Sequence, residues 1–506
     1  MRNIQSLKIK DLSSELIIHI LHCCECLTIL RFAATCKAYH ELVEQSASLQ
    51  LHIELETNGL ELAKGSFRPG ATYSTILEEL KQFRNAWLDL SIGQPTLRIV
   101  GGTKTLHWEL AERFYVKAFS QTGGRLADAI QFIPLESEKP DPPPLRFDFQ
   151  FETFTTDPEQ GLVALVSRNL GLFTHIYVDL FSIETGLAHP LAQHPRLTAE
   201  FDFERPFFSA DFTIKIMGNV VLTKVSHSRF HIYEILIWDW RFGNVLNRIN
   251  SRAGICDLSF LDQYHLVLLS ATCSGRTRLD TLELLVYAIH NDTFTENDLP
   301  PGQLGVTDLS LPPAIPILRL AFPPIHESHE ISNTAFTLCS DPTPGRILYQ
   351  KSAAFACPYT VTLSATFCFR TVNTGWEGPD YYRAFIDGRF LLNQLLSLQI
   401  MRIFPRSPTR ISQACPAPLD HLEHDFDTSA THRVHSHMVG ADNPSRINGI
   451  GFKEHVTSRL PYRVVFPTNN KIDHEGCQVN INGGFIVGIS TREPTSETVA
   501  IYKLKM

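Results

Sequence analysis

Nine side chains that could hold a metal crowd one stretch of the chain: Asp420, His421, Glu423, His424, Asp425 and Asp427, then His432, His435 and His437. Neutral imidazole and carboxylate are good ligands for zinc or nickel. No three of them sit at a helical or tight-turn spacing with obvious hydrogen-bond partners to orient them, so the pattern reads as a solvated polar loop with no metal. His19, His22, Cys23, Cys24 and Cys26 are a second metal-like group. Their spacing matches no common zinc pattern, and His22 and Cys26 would share a helix face only if one helix ran through Cys26. His326-Glu327-Ser328-His329-Glu330 approaches a zinc-protease motif but has the wrong spacing. A serine-hydrolase elbow, a phosphate-binding glycine loop and a dinucleotide fingerprint are absent from the sequence. The residues therefore predict a non-catalytic protein without cofactor.

Composition narrows the class further. The 506 residues are 43% hydrophobic and 19% charged, which predicts packed globular structure. A net charge of −8 and the lack of a basic stripe argue against nucleic acid. No apolar run approaches the ~20 residues of a spanning helix, the start is unlike a secretory signal, and the end is no lipidation box. Eleven scattered cysteines, an odd number, fit reduced thiols in the cytoplasm or nucleus. Buried thiols acting as small hydrophobes are expected at Cys256, Cys339 and Cys368.

The elements that would position any site fall into two kinds. Leu12, Leu16 and Ile20, with Ile17 and Leu21 beside them, have the spacing of an amphipathic helix that Ser13 can cap. Leu12 and Ile17 are placed for a hydrophobic staple. Ile29, Phe32, Ala33, Cys36, Tyr39 and Val43 form a second periodic stretch. A third helix is predicted from Tyr73 to Leu90. Neither of the first two stretches could bury its apolar face alone, so they need each other and a partner.

From about Pro95 the period changes to that of strands. Pairs of apolar runs separated by turns recur roughly every 40–60 residues, a spacing suggestive of propeller blades. Examples are Leu162 to Val166 with Ile176 to Ile183, and Val220 to Leu222 with Tyr233 to Trp240. Ile237-Trp238-Asp239-Trp240 followed by Gly243 looks like the end of a WD-repeat strand and its turn, with Trp238 in the core. Leu309 to Pro324 and Pro405 to Arg446 read as loops. The expected organisation is a helical module over 1–58, a helical connector over 59–94, and a β domain over 95–506. The expected β fold is a propeller of about seven degenerate WD-like blades.

Leu12-Ser13-Ser14-Glu15-Leu16, then Ile20-Leu21, Leu27, Leu30 and Cys36-Lys37-Ala38-Tyr39, together resemble the F-box. Ser13 stands where that family usually has Pro, and both residues suit a helix start. Over most of its length the chain resembles the F-box domain-containing proteins of mushroom-type fungi. The likeness includes Leu77-Glu78-Glu79-Leu80 with Trp87, Phe147-Asp148-Phe149, Thr156 to Val163, His189-Pro190-Leu191-Ala192 and Ser458 to Val465. Several family members have Asp where Gly161 stands. The resemblance implies the substrate-recognition subunit of an SCF-type ubiquitin ligase. Its small all-α module would bind a Skp-type adaptor, and through it a cullin, using Leu12, Ser13, Leu16, Ile20, Leu27, Leu30, Cys36, Lys37 and Tyr39. Its β domain would bind a target protein through residues the sequence does not assign. The alternatives are a scaffold that binds the adaptor without building a ligase, or a propeller-like enzyme or metal-binding protein.

Overall fold

The computed structural model describes residues 9, 12–89, 91–100, 103–136, 141–168, 175–201, 210–273, 278–290, 313–372, 380–403, 436–439, 445–447, 451–453, 456–458, 462–465, 478–482, 485–490 and 498–505. The His/Asp-rich stretch from Asp420 to His435 lies outside them. A small helical part comes first, and a large all-β region in several antiparallel sheets follows.

Four helices open the chain: α1 (Ser14–Leu21), α2 (Cys26–Ala33), α3 (Lys37–Gln45) and α4 (Ala47–Thr57). Ser13 caps α1, its Oγ accepting from the Leu16 N–H at 3.4 Å. Leu12 packs against the cluster that contains Ile17, as a staple would. The first helix stops at Leu21, so His22 and Cys26 do not share a helix. Ile17, Leu21, Ile29, Ala33, Val43 and Leu49 form the module's own small core.

Helix α4 had no clear signal in the sequence. Its apolar residues, Leu49, Leu51, Ile53 and Leu55, alternate as in a strand. The structure supplies the reason: the helix is sandwiched. Leu49 and Ile53 face the core of the first three helices, whereas Leu51 and Leu55 face a second cluster with α5 (Tyr73–Leu88). A helix buried on two sides carries no single apolar stripe. A boundary at residue 58 would leave Leu51 and Leu55 on one side and their partner Phe355 on the other.

The β region holds six four-stranded antiparallel sheets among the described residues. Five follow in chain order. The first has strands 105–111, 114–119, 127–134 and 145–151; the second 153–157, 162–168, 175–182 and 196–200. The third has 211–217, 220–227, 232–239 and 244–251; the fourth 254–260, 265–273, 279–288 and 318–321. The last of these strands falls in the Pro-rich stretch expected to be loop. In the fifth, strand 362–371 pairs with 380–387 on one side and with 329–331 and 337–341 on the other. The sixth joins the ends of the region: strand 96–99 pairs with 498–503, beside 485–490 and 478–482. Strand 436–439 pairs with 462–465, and 445–447 with 456–458.

Successive sheets pack face to face. In strand 162–168, Leu162, Ala164 and Val166 join a core shared with the third sheet, while Val163 and Leu165 join one shared with the first. Strand 265–273 divides likewise, Val267 and Leu269 toward the fifth sheet, Leu266 and Leu268 toward the third. Side chains alternate across a strand, so a strand buried on both faces must be apolar at every position. This is why the central strands read as unbroken apolar runs. Each fully buried Leu or Val contributes about 1.5–3 kcal/mol of transfer free energy. Trp238 and Trp240 are buried, and Asp239 accepts from Asn219 Nδ2 at 2.6 Å and from the Arg241 N–H at 2.9 Å. That fixes the turn which Gly243 closes at a φ of 77°. Gly161 likewise has a φ of 64°, a conformation in which Asp is less at ease.

Cys256 and Cys368 are buried, as their strands require, but Cys339 is exposed. It alternates with the buried Leu338 on strand 337–341 and so faces the other way.

One connection breaks the pattern of short turns. Residues 342–361 leave the fifth sheet as a hairpin with strands 347–349 and 354–356, and strand 354–356 pairs with residues 61–62. Phe355, wholly buried, fills the space between α4 and α5 together with Ile76 and Leu80. Helix α5 also packs on the sixth sheet, where Ala86 meets Ala500 and Tyr502. After the fifth sheet comes α6 (Gly388–Ile403), whose Leu391 and Leu395 enter the core.

Candidate functional site

The opening helices present an apolar face to solvent. Leu16 and Ile20 on α1 are 53% and 52% exposed, and Leu27 and Leu30 on α2 are 51% and 48% exposed. Their neighbours Ile17, Leu21 and Ile29 are buried. Spacings of four along α1 and three along α2 put each exposed pair on one side of its helix. A helix pair this small has too few inward positions to hide every apolar residue. It buries one stripe and leaves a second exposed.

The nine residues singled out from the sequence separate by role. Leu16, Ile20, Leu27 and Leu30 are the exposed face. Leu12 and Tyr39 are partly buried against the module's core, and Tyr39 stacks on Phe32 with ring centroids 4.2 Å apart. Ser13 caps α1. Cys36 is exposed at the N-cap of α3, and Lys37 begins that helix with its side chain 90% exposed, 3.7 Å from Glu41.

The frame beneath this face is held by polar contacts that the sequence did not announce. The residue before α2, Glu25, makes no side-chain cap. Glu56 of α4 does so instead, its Oε2 accepting from the Cys26 N–H at 2.7 Å. His22 Nε2 lies 3.0 Å from Ser48 Oγ, and burial pushes the His22 imidazole below its ordinary pKa. His52 Nε2 sits 3.1 Å from the Cys24 carbonyl. Cys23 and Cys24 give their thiols to the carbonyls of His19 and Ile20. His22 and His52 thus join α4 to the end of α1 and the turn after it, whereas the two thiols bond only back into α1. At the start of α1, backbone N–H and the Ser13 hydroxyl hold the Glu15 carboxyl below its usual range.

Elsewhere, among the described residues, no group of three or more His, Cys, Asp or Glu side chains is arranged to hold a metal. The stretch from His326 makes a compact turn: Ser328 Oγ lies 2.7 Å from His326 Nδ1 and 2.8 Å from His329 Nδ1. Arg278 bonds both histidine carbonyls. No described helix is long and apolar enough to cross a membrane.

No family model and no curated protein matches the chain. Among solved structures, the AfRom2 CNH domain is similar at 9% identity and a TM-score of 0.29, over 81% of this chain and 99% of that one. The phage phi92 endosialidase is similar at 9% identity and a TM-score of 0.27, over 80% and 70%. An uncharacterized protein of Listeria monocytogenes EGD-e shares 10% identity at a TM-score of 0.26, over 57% and 69%.

Proposed function

We propose that the chain is a receptor subunit of an SCF-type ubiquitin ligase. Its helical module docks on a Skp-type adaptor through Leu16, Ile20, Leu27 and Leu30, and its β region holds the protein to be modified. The observation that carries this reading is the half-exposed apolar face on α1 and α2, at positions that match the F-box pattern. An apolar stripe of this kind suits a partner helix or groove. Leu12, Ser13 and Tyr39 support it by fixing the helices, and Cys36 and Lys37 offer further exposed contacts at the start of α3.

The receptor needs no catalytic side chain or cofactor, because tethering a target beside a conjugating enzyme raises its effective concentration. The β region closes, on this reading, as a ring of seven units. Six are the four-stranded sheets, and the paired strands between residues 436 and 465 belong to the seventh. The pairing of strand 96–99 with the final strand supports closure. The protein would work in the cytoplasm or nucleus.

Affinity capture of the full chain from cells with a blocked proteasome tests the proposal. Recovery of a Skp-type adaptor together with a cullin is expected. Adaptor without cullin would indicate a scaffold, and neither would overturn the reading.

A further inference from the structure

The turns that join the first and second strands of the first four sheets are short: residues 112–113, 158–161, 218–219 and 261–264. The equivalent connection of the fifth sheet, 342–361, is 20 residues long. It reaches all four of those turns. The Arg113 guanidinium lies 5.5 Å from the centre of the Tyr349 ring, and the Tyr349 hydroxyl donates to Glu159. A Cβ on Gly345, which has a φ of 82°, would stand 2.8 Å from Met217 Cγ and 3.8 Å from the backbone nitrogen of Gly218. The Thr360 N–H donates to the Leu261 carbonyl at 2.8 Å. On its other side the hairpin holds the helices. Glu79 of α5 accepts from Ser352 N–H at 2.9 Å and Ser352 Oγ at 2.7 Å, and the Tyr359 hydroxyl donates to the Glu56 carbonyl at 3.1 Å.

We propose that the 342–361 hairpin is a strap that clamps the helical module to the β region, and that the carboxylates under its tip make the clamp loosen as pH rises. Glu112, in a left-handed conformation with a φ of 52°, shares its turn with Arg113, whose guanidinium lies by the Tyr349 ring of the strap, and its charge is acted on by Asp157 and Glu159 of the second sheet and by Arg346 of the strap. Glu136, which also approaches Arg113 at 3.8 Å, is paired with Lys503. Glu109 lies behind, its carboxylate bonded by Thr155 and Thr156. With Glu112 protonated, Glu109, Asp157 and Glu159 already stand against Arg113 and Arg346. Ionised, Glu112 adds a further carboxylate with no guanidinium to offset it.

Burial, reinforced by Glu159 and Asp157, pushes the Glu112 carboxyl up to about 7. A carboxyl raised in the closed state favours closure below its ordinary pKa, and that contribution is lost as pH rises through the raised one. Between pH 6 and pH 8 the open fraction should therefore grow about tenfold if the open strap restores an ordinary carboxyl.

Cys357 reports the opening, since its thiol is buried in the strap against α4 and α5. The full chain is exposed to a neutral thiol reagent at pH 6 and pH 8. Labelling of Cys357 is read by peptide mass and divided by the rate in the denatured chain at the same pH. Cys256, buried in the fourth sheet, is the control. Wild type should show the tenfold rise at Cys357 alone, and Glu112→Gln should show less than a twofold change. Equal corrected rates at both pH values, a rise shared by Cys256, or a rise that persists in Glu112→Gln would each overturn the proposal.

Discussion

At the scale of single residues, neighbours in the helical module differ in burial. Ile29 is wholly buried and Leu30 is 48% exposed. Ile29→Ala should lower stability by about 2–4 kcal/mol through lost burial and the cavity left behind. Leu30→Ala should change it by no more than about 0.5 kcal/mol, as for surface sites generally. Denaturant melts of the two variants check this, and equal losses would mean that Leu30 is core. The periodicity of α1 and α2 made both stripes legible as apolar. It could not say which stripe is covered, because that depends on where α3 and α4 lie. Glu56 was illegible for a similar reason: a cap delivered from a helix 30 residues on leaves no local pattern. Cys256, whose thiol burial pushes up to about 12, should resist alkylation at pH 8 in the folded chain. Rapid labelling there, without unfolding, would contradict its placement.

At the scale of elements, the strap and α4 join what the sequence divides. Phe355 fills the gap among Leu51, Leu55, Ile76 and Leu80. Phe355→Ala should cost about 3–5 kcal/mol. It should also release the helical module before the sheets melt, seen as earlier loss of amide protection in α4 and α5 than in strand 220–227. Simultaneous loss in both would mean that the strap is not the joint. The central strands of the second, third and fourth sheets were legible because each is a run of seven to ten mostly apolar residues between turn formers. The hairpin was not: its strands are three residues long and its register comes from residues 61–62, nearly 300 positions away. Helix α4 hid behind two-sided burial. The stretch from Leu309 to Pro324 hid a strand because its five prolines read as loop, while residues 318–321 between them pair with strand 279–288 of the fourth sheet.

At the scale of the whole molecule, stability of the β region depends on sheets that cover one another, and on an end strand that completes the sheet begun at Thr96. Removing residues 498–506 would strip Val499 and Ile501 from the core shared with the first sheet. The truncated chain should lose cooperative melting or aggregate, and a calorimetric transition matching wild type would contradict the joined ends. The recurrence of antiparallel sheets was legible in the sequence, since strands such as 162–168 and 265–273 repeat the same two-sided apolar demand. The function that the helical module serves is tested most directly by titrating a purified Skp-type adaptor into the full chain and into Leu16→Ala/Leu30→Ala, with heat as the readout. Both positions are exposed, so the double variant should fold as wild type does. It should bind the adaptor at least roughly a hundredfold more weakly, the loss expected when two anchoring side chains leave an interface. Undiminished binding by the folded double variant, or no binding by wild type, would contradict the account.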